Sequence, residues 1–491
     1  MKEQLKRIRR SERACHVYAL IAILILMHTL LLYPERYLIW SGHERIFDLL
    51  RGYYAVLIVS LLILFALKLH RGLSPELMCL MAYSGWMLIT RIAVHDYTLF
   101  GELYFSALCF LIFAAGSFLR REQRWRLLEI SGCVLGTILC VYAVFAVIAV
   151  YSADSVIPGL TKYISLHRAA VSDISFFGTI RTLSASWFGL GLMMFVLLYS
   201  YYRERGKRVR FLCIPASVLM LFVVAHQHCR SITVAVSLNA ALLCLLCLMP
   251  KVRTWKKPAR LLTAALLFCI LSVVFYKGIG TCGDLLLRSA PVLAPETSEQ
   301  VTASPSPAAP SPVAETSGDH THAETKPQSS SDARIFLRDL LTLTERTEIW
   351  GAGLKAIAED PSIALFGQKE ESMMLAVNRQ ASYTEVKQHM HNTHMQALML
   401  TGVPGFLCQL AFSILLLSRM IGCCLSPEAE TSEKLMTLFL LAAMMYGFME
   451  MLMNRGLAFP TLWYLLVAGI FVENRREEKK KTTGIMQSRR T

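Results

Sequence analysis

Apolar residues in this chain gather into blocks of roughly 18–25 residues, the length a helix needs to cross a bilayer. Backbone inside lipid must satisfy its own hydrogen bonds, so the blocks read as helices. About twelve are counted, at roughly 16–34, 53–69, 75–94, 98–119, 127–152, 183–202, 209–226, 231–249, 260–277, 394–418, 435–452 and 457–473. Composition agrees: 55% of the 491 residues are hydrophobic and only 17% are charged, below the share usual in soluble domains. The block at 16–34 follows a basic segment like a leader, but with no small-residue cleavage site and many later blocks it reads as a retained first helix.

The formal net charge of +15 would suggest nucleic acid in a soluble protein. Here the Lys and Arg residues cluster in short segments between apolar blocks, which points to membrane topology and not to nucleic acid. Lys2 to Arg13, Lys68 with Arg71, Arg120 to Arg126, Arg203 to Arg210, Lys251 to Arg260 and Arg475 to Lys481 fall on one side if the count is right. Both termini are then cytoplasmic and 278–392 forms a large external loop between the ninth and tenth helices. The 14 cysteines lie mostly within apolar blocks and read as small buried hydrophobes, the Cys244/Cys247 pair included. The organisation expected is 1–277 for helices one to nine, 278–392 for the loop, 393–473 for helices ten to twelve and 474–491 for a basic cytoplasmic tail.

Residues 291–333 are rich in Pro, Ser, Thr, Ala and Glu and cannot bury enough apolar surface to fold, so a disordered insert is expected. From Arg334 to Asp360, Leu and Ile recur at helical spacing among charges, which predicts an amphipathic helix (334–360) at the outer membrane surface. Asp360-Pro361 marks its boundary. No second soluble domain with its own core is evident.

The densest polar cluster beside a span is QHMHNTHMQALMLTGVPG, residues 388–405. Asn392 is suited to cap the helix that follows, because its side chain can satisfy an orphan backbone donor. His391 then sits just before a helix N-terminus, where the dipole favours a nearby anion, and a neutral histidine there can take a proton from a hydroxyl. His389 can support or replace it. Gly402 and Gly405, flanking Pro404, read as architecture. Arg230 stands at the outer junction of spans seven and eight, close to hydrocarbon, where a charge needs a partner or a wet cavity. Arg181 precedes span six, and Arg346 lies on the amphipathic segment with Trp350 one turn later. Guanidinium matches phosphate geometry, so these arginines and the histidines can together hold a diphosphate. Glu450, near the outer end of span eleven, can orient a histidine or a sugar, or serve as a buried structural acid. His226, His228 and Cys229 with the 389–394 histidines allow a zinc site by spacing, but no carboxylate or thiolate pattern completes one, so no metal and no other cofactor is assigned.

In this order the pieces resemble the O-antigen ligase and polymerase superfamily. RSITVAV from Arg230 is similar to its Arg-Ser-Gly-x-x-Ala element, with Ile232 where that element has glycine. RTEIWGAGLKAIAEDPSIALFGQ from Arg346 resembles its Arg-x3-Trp and Pro-x4-Gly segment, and HMHNTHMQALMLTGVPGFL from His389 its His-x-His-Asn segment. Arg181 is followed by Thr182 and Leu183, where the superfamily often has Gly and Asn.

The resemblance implies an all-α, polytopic, GT-C-like membrane glycosyltransferase in the bacterial inner membrane. Its donor would be a glycan on undecaprenyl diphosphate, and its acceptor a hydroxyl of a glycan, lipid or protein on the external face, with neither nucleotide sugar nor metal. His391, Arg230 and Arg346 would act in catalysis, and Arg181, His389, Asn392, Trp350 and Glu450 in substrate binding. The alternatives are a flippase of lipid-linked glycans and a non-catalytic scaffold for envelope assembly. A flippase would be expected to show mid-span charges and inverted repeats of broken helices.

Overall fold

The computed structural model describes residues 13–30, 44–66, 73–94, 99–152, 181–227, 229–248, 257–289, 346–380, 390–426, 428–450, 452 and 459–488. Every regular element among them is helical. In chain order these are α1 (Arg13–Leu30), α2 (Glu44–Ala66), α3 (Pro75–Ala93), α4 (Leu99–Phe118), α5 (Arg121–Ser152), α6 (Arg181–Glu204) and α7 (Cys213–His226), a 3-10 turn at Arg208–Leu212 leading into α7. Then follow α8 (Arg230–Leu248), α9 (Lys257–Ser289), α10 (Arg346–Glu359), α11 (Pro361–Phe366), α12 (Glu370–Gln380), α13 (Thr393–Leu425), α14 (Thr431–Met449) and α15 (Phe459–Ser488).

The described residues form an all-helical, multi-pass membrane protein. Six stretches among the described residues are helical, long and apolar enough to cross a bilayer: Arg13–Leu30, Arg121–Ile148, Ala185–Glu204, Arg208–His226, Leu262–Leu285 and Thr393–Leu425. Several helices outrun their apolar blocks. α9 continues past 277 to Ser289, α13 past 418 to Leu425, and α15 past 473 to Ser488. Hydropathy marks only the part that lipid can accept, whereas the backbone ladder continues wherever helix-forming residues follow. On α15 the i,i+3 pairs Arg475–Glu478 and Arg476–Glu473 support that continuation, so the expected basic tail is helical through Ser488.

The core is built around the first half of α15, residues 459–472, apolar on every side, as a helix without a solvent face must be. Leu462, Trp463, Leu465, Leu466, Val467 and Ile470 are fully buried. It meets α4 backbone to backbone at Gly116 and Gly469, where a Cβ on Gly469 would stand 2.0 Å from the Phe113 carbonyl oxygen. α3 lies along α13, joined by the Glu76–Arg419 ion pair and by Trp86 Nε1 donating to the Thr401 carbonyl at 2.8 Å.

α13 is broken at Gly402, whose φ of 67° and ψ of −173° leave the helix, and Pro404 follows. Gly367, also at positive φ, closes against the break. A Cβ on Gly367 would lie 2.3 Å from the Leu400 carbonyl carbon, and one on Gly402 2.5 Å from the Leu365 carbonyl oxygen. The interrupted ladder frees carbonyls, and two find donors: Met399 accepts from Gln368 N at 2.9 Å and Thr401 from the Trp86 indole. In this way the α10–α12 segment is clasped to the start of α13. It has its own small core of Ile349, Ala356, Ile363, Met373 and Val377, closed by Met399. Of the amphipathic helix expected at 334–360, the described part is the helix Arg346–Glu359, packed with two further short helices. Residues 334–345 and the insert 291–333 lie outside the described residues.

Candidate active site

Three helices begin at one end of the bundle, each on a residue of the predicted site or its neighbour. Arg230 is the first residue of α8, Arg346 the first of α10, and Asn392 caps α13. Arg181 is the first residue of α6, whose other end reaches the start of α14 through Glu204 Oε1 and Ser432 N, 3.1 Å apart. α14 runs the opposite way from α6, α8 and α13 and delivers Glu450 as its C-terminal cap. Four helix N-termini therefore open toward the one end at which α14 stops.

Glu450 is the hub. It is buried, at 3% exposure, and its two carboxylate oxygens hold different partners. Oε1 accepts from Arg346 Nη2 at 2.6 Å and from Ser231 Oγ at 3.0 Å. Oε2 lies 3.0 Å from His391 Nδ1. Arg346 Nη2 also donates to Ser231 Oγ at 3.1 Å, which closes a small ring of bonds. Arg230, next to Ser231, is exposed at this rim. Arg346, His391 and Ser231, the residue after Arg230, are separated along the chain and thus meet around one acid.

The segment bearing His391 is fixed from every side. The Asn392 side chain accepts from His394 N at 2.8 Å and Met395 N at 3.0 Å, and its Nδ2 donates to the Phe448 carbonyl at 2.8 Å. Thr393 Oγ1 accepts from Leu452 N at 2.9 Å and donates to the Glu450 carbonyl at 3.3 Å. These bonds satisfy carbonyls that α14 leaves open at its end. Met390 N donates to Gln396 Oε1 at 3.0 Å. His391 itself takes a φ of 46°, and it is the one non-glycine residue at positive φ among those described. Backbone in that region is costly for a branched side chain and persists where the surroundings over-determine it.

The hydrogen bonds of Trp350 are structural. Its Nε1 donates to the Met390 carbonyl at 2.9 Å, and its ring stands edge-on to Phe448 at 5.9 Å. It thereby grips the residues just before both His391 and Met449-Glu450, a positioning role. Ser231 and Thr393 are the participants that the sequence reading did not single out. Ser231 was signalled only by standing next to Arg230 in the RSITVAV element. His389 lies outside the described residues, as does the side chain of Arg181. His394 packs edge-on against Phe406 at 6.5 Å. Among the described residues no three His, Cys, Asp or Glu side chains are grouped to hold a metal ion, and the His226 ring lies tilted against Phe222 at 6.0 Å.

Residues 215–410 match the family model described as O-Antigen ligase. This stretch is similar to an O-antigen ligase domain. That domain runs from α7 through the α10–α12 segment into α13, and contains Arg230, Ser231, Arg346, His391 and Asn392. Glu450, which binds three of these, and Arg181 lie outside the matched stretch. A search of curated proteins gives no match to the chain. Where the ligase-type element has glycine, Ile232 here is fully buried and fills the space over Gly189 of α6, 2.3 Å from where a Cβ would stand. The small residue required at this helix contact is supplied by the facing helix instead.

Proposed function

We propose that this O-antigen ligase-family protein is a glycosyltransferase of the bacterial inner membrane, with about twelve spans, both termini cytoplasmic and the Glu450 site on the external face. Its donor is a glycan carried on undecaprenyl diphosphate, and its acceptor is a hydroxyl of a glycan, lipid or protein destined for the cell surface. The reading rests on one observation: a single buried carboxylate holds Arg346, His391 and Ser231, the residue after Arg230.

Glu450 Oε2 accepts the proton on His391 Nδ1, which fixes the tautomer and leaves Nε2 as the basic nitrogen. The acceptor hydroxyl attacks the anomeric carbon and gives its proton to Nε2. The bond from that carbon to the phosphate oxygen breaks, and the diphosphate leaves with its electron pair. Arg346 uses Nη2 for Glu450 and Ser231, so Nη1 and Nε remain to donate to phosphate oxygens. Arg230 and the N-termini of α8, α10 and α13 add positive potential where that charge develops, so the transfer is proposed to need no metal.

The test is Arg230→Ala and His391→Asn in membranes with normal protein levels. Asn tolerates positive φ, so a loss in the second variant reports the imidazole and not the backbone. Each should lower glycan transfer by about a hundredfold or more, with lipid-linked glycan accumulating. Full transfer by both would reject the mechanism.

A further inference from the structure

At the end of the bundle opposite the Glu450 site, two clefts of about 660 and 580 Å³ lie on either side of one ridge of α5. They share Arg126 and Ile130, one helical turn apart. Ile130 is 42% exposed and forms the crest. The first cleft runs between α5 and α6, over Cys133, Val134 and Tyr201. The second runs between α5 and α1, over Leu20, Ile23 and Leu127. Each passes from polar residues at the helix ends to apolar ones deeper in, and Arg126 to Val134 covers about 12 Å of depth. All three walls contain stretches long and apolar enough to cross a bilayer, so the clefts open to lipid.

The charge at the rim is specific. Lys207 is already paired with Glu129 at 3.0 Å. Arg126 and Glu122, exposed and one turn apart on α5, make no ion pair with each other or with any other described residue. A turn of this kind ordinarily brings Glu and Arg together. The rim thus offers one guanidinium and one carboxylate side by side, above two apolar furrows.

We propose that this ridge binds a diacyl aminophospholipid. The phosphate diester meets Arg126, the primary ammonium meets Glu122, and one acyl chain descends on each side of Ile130. A phospholipid with a net negative headgroup would satisfy Arg126 but face Glu122 unpaired, so the pair selects for the zwitterion.

Native mass spectrometry of the detergent-solubilised full chain, with equimolar phosphatidylethanolamine and phosphatidylglycerol, tests this. The wild type should retain phosphatidylethanolamine at least about fivefold over phosphatidylglycerol. Glu122→Gln should abolish the preference while keeping total lipid, and Arg126→Ala should lower retention of both. Ile130→Trp fills the furrows without touching the charges and should displace the lipid. Equal retention of the two lipids by the wild type, an unchanged preference in Glu122→Gln, or wild-type retention in Ile130→Trp would each overturn the proposal.

Discussion

α14 carries a buried acid at each end, and the two are used in opposite ways. Glu433, 1% exposed, sits in the first turn, and Glu450, 3% exposed, caps the last. Both hold two cationic or basic side chains from other helices. Around Glu433 the circuit is closed. Arg121 Nη2 reaches Glu433 at 3.0 Å, Glu430 at 3.1 Å and Glu478 at 3.2 Å, and Arg475 pairs with Glu433 and Glu478. Nearby, Arg124 is held by Asn474 and Glu477. Arginines and acids here neutralise one another and lock α5, α14 and α15 together. Around Glu450 the same carboxylate holds Arg346 and His391, with Ser231, the residue after Arg230, on one oxygen, and the helix ends there add positive potential. The same chemistry, a buried carboxylate with a guanidinium, makes a joint at one end and an anion site at the other. The number of acids per cation decides which.

The sharpest way to break this contrast is to remove one cation from each end. Arg346→Ala should lower transfer by about a hundredfold to a thousandfold, because it removes a donor aimed at developing charge. Arg475→Ala should leave transfer near wild type and appear instead as a lower melting temperature. Comparable losses of transfer from both would show that the open end is no more chemical than the closed one. Glu450→Gln comes next. It keeps an acceptor for one neighbour but removes the charge that orients the His391 proton, so transfer should fall about tenfold to a hundredfold at unchanged protein level. Transfer equal to wild type would make Glu450 a structural acid like Glu433.

A third substitution probes how the open end is held together. Gly402→Ala places a Cβ at positive φ and against the Leu365 carbonyl, and should cost about 2–4 kcal/mol. The α10–α12 segment should loosen from α13, read as faster proteolysis after Arg346, while Glu433 and its partners stay intact. Unchanged proteolysis would mean that the break is not the clasp.

Much of this was legible in the sequence, for local reasons. The start of α3 follows from Ser74-Pro75, a cap and a first-turn proline, with Ser74 accepting from Leu77 N at 3.3 Å. Asp360 caps α11 in the same manner, and the Asn392 cap was readable from one residue and the apolar run after it. Arg230 stood out because a charge is expensive beside lipid, and His391 because it precedes a capped helix start within a dense polar cluster. The rest depends on pairings that no local pattern records. The Arg346–Glu450 bond spans 104 positions and the Ser231–Glu450 bond 219. Trp350 is assigned to substrate binding by resemblance, and only tertiary placement shows its N–H on Met390. α11 and α12 are too short and mixed for periodicity to announce, and their core exists only because Gly367 and Gly402 let the segment approach α13.

The smallest expected effect lies in how each end secures a helix start. At the closed end, Ser432 N is met by Glu204 from another helix. At the open end, Asn392 caps its own helix and also donates to Phe448, so one side chain ties His391's segment to Glu450's. Asn392→Ala removes both functions and should cost about 1 kcal/mol, measured by thermal unfolding in detergent. Asn392→Asp keeps the cap acceptor but places a carboxylate oxygen where Nδ2 donates to the Phe448 carbonyl. It should recover most of the stability and little of the transfer. Equal stability for the two variants would show that the cap adds nothing. Recovered transfer in the Asp variant would show that the link between α13 and α14 is not what holds His391 to its acid.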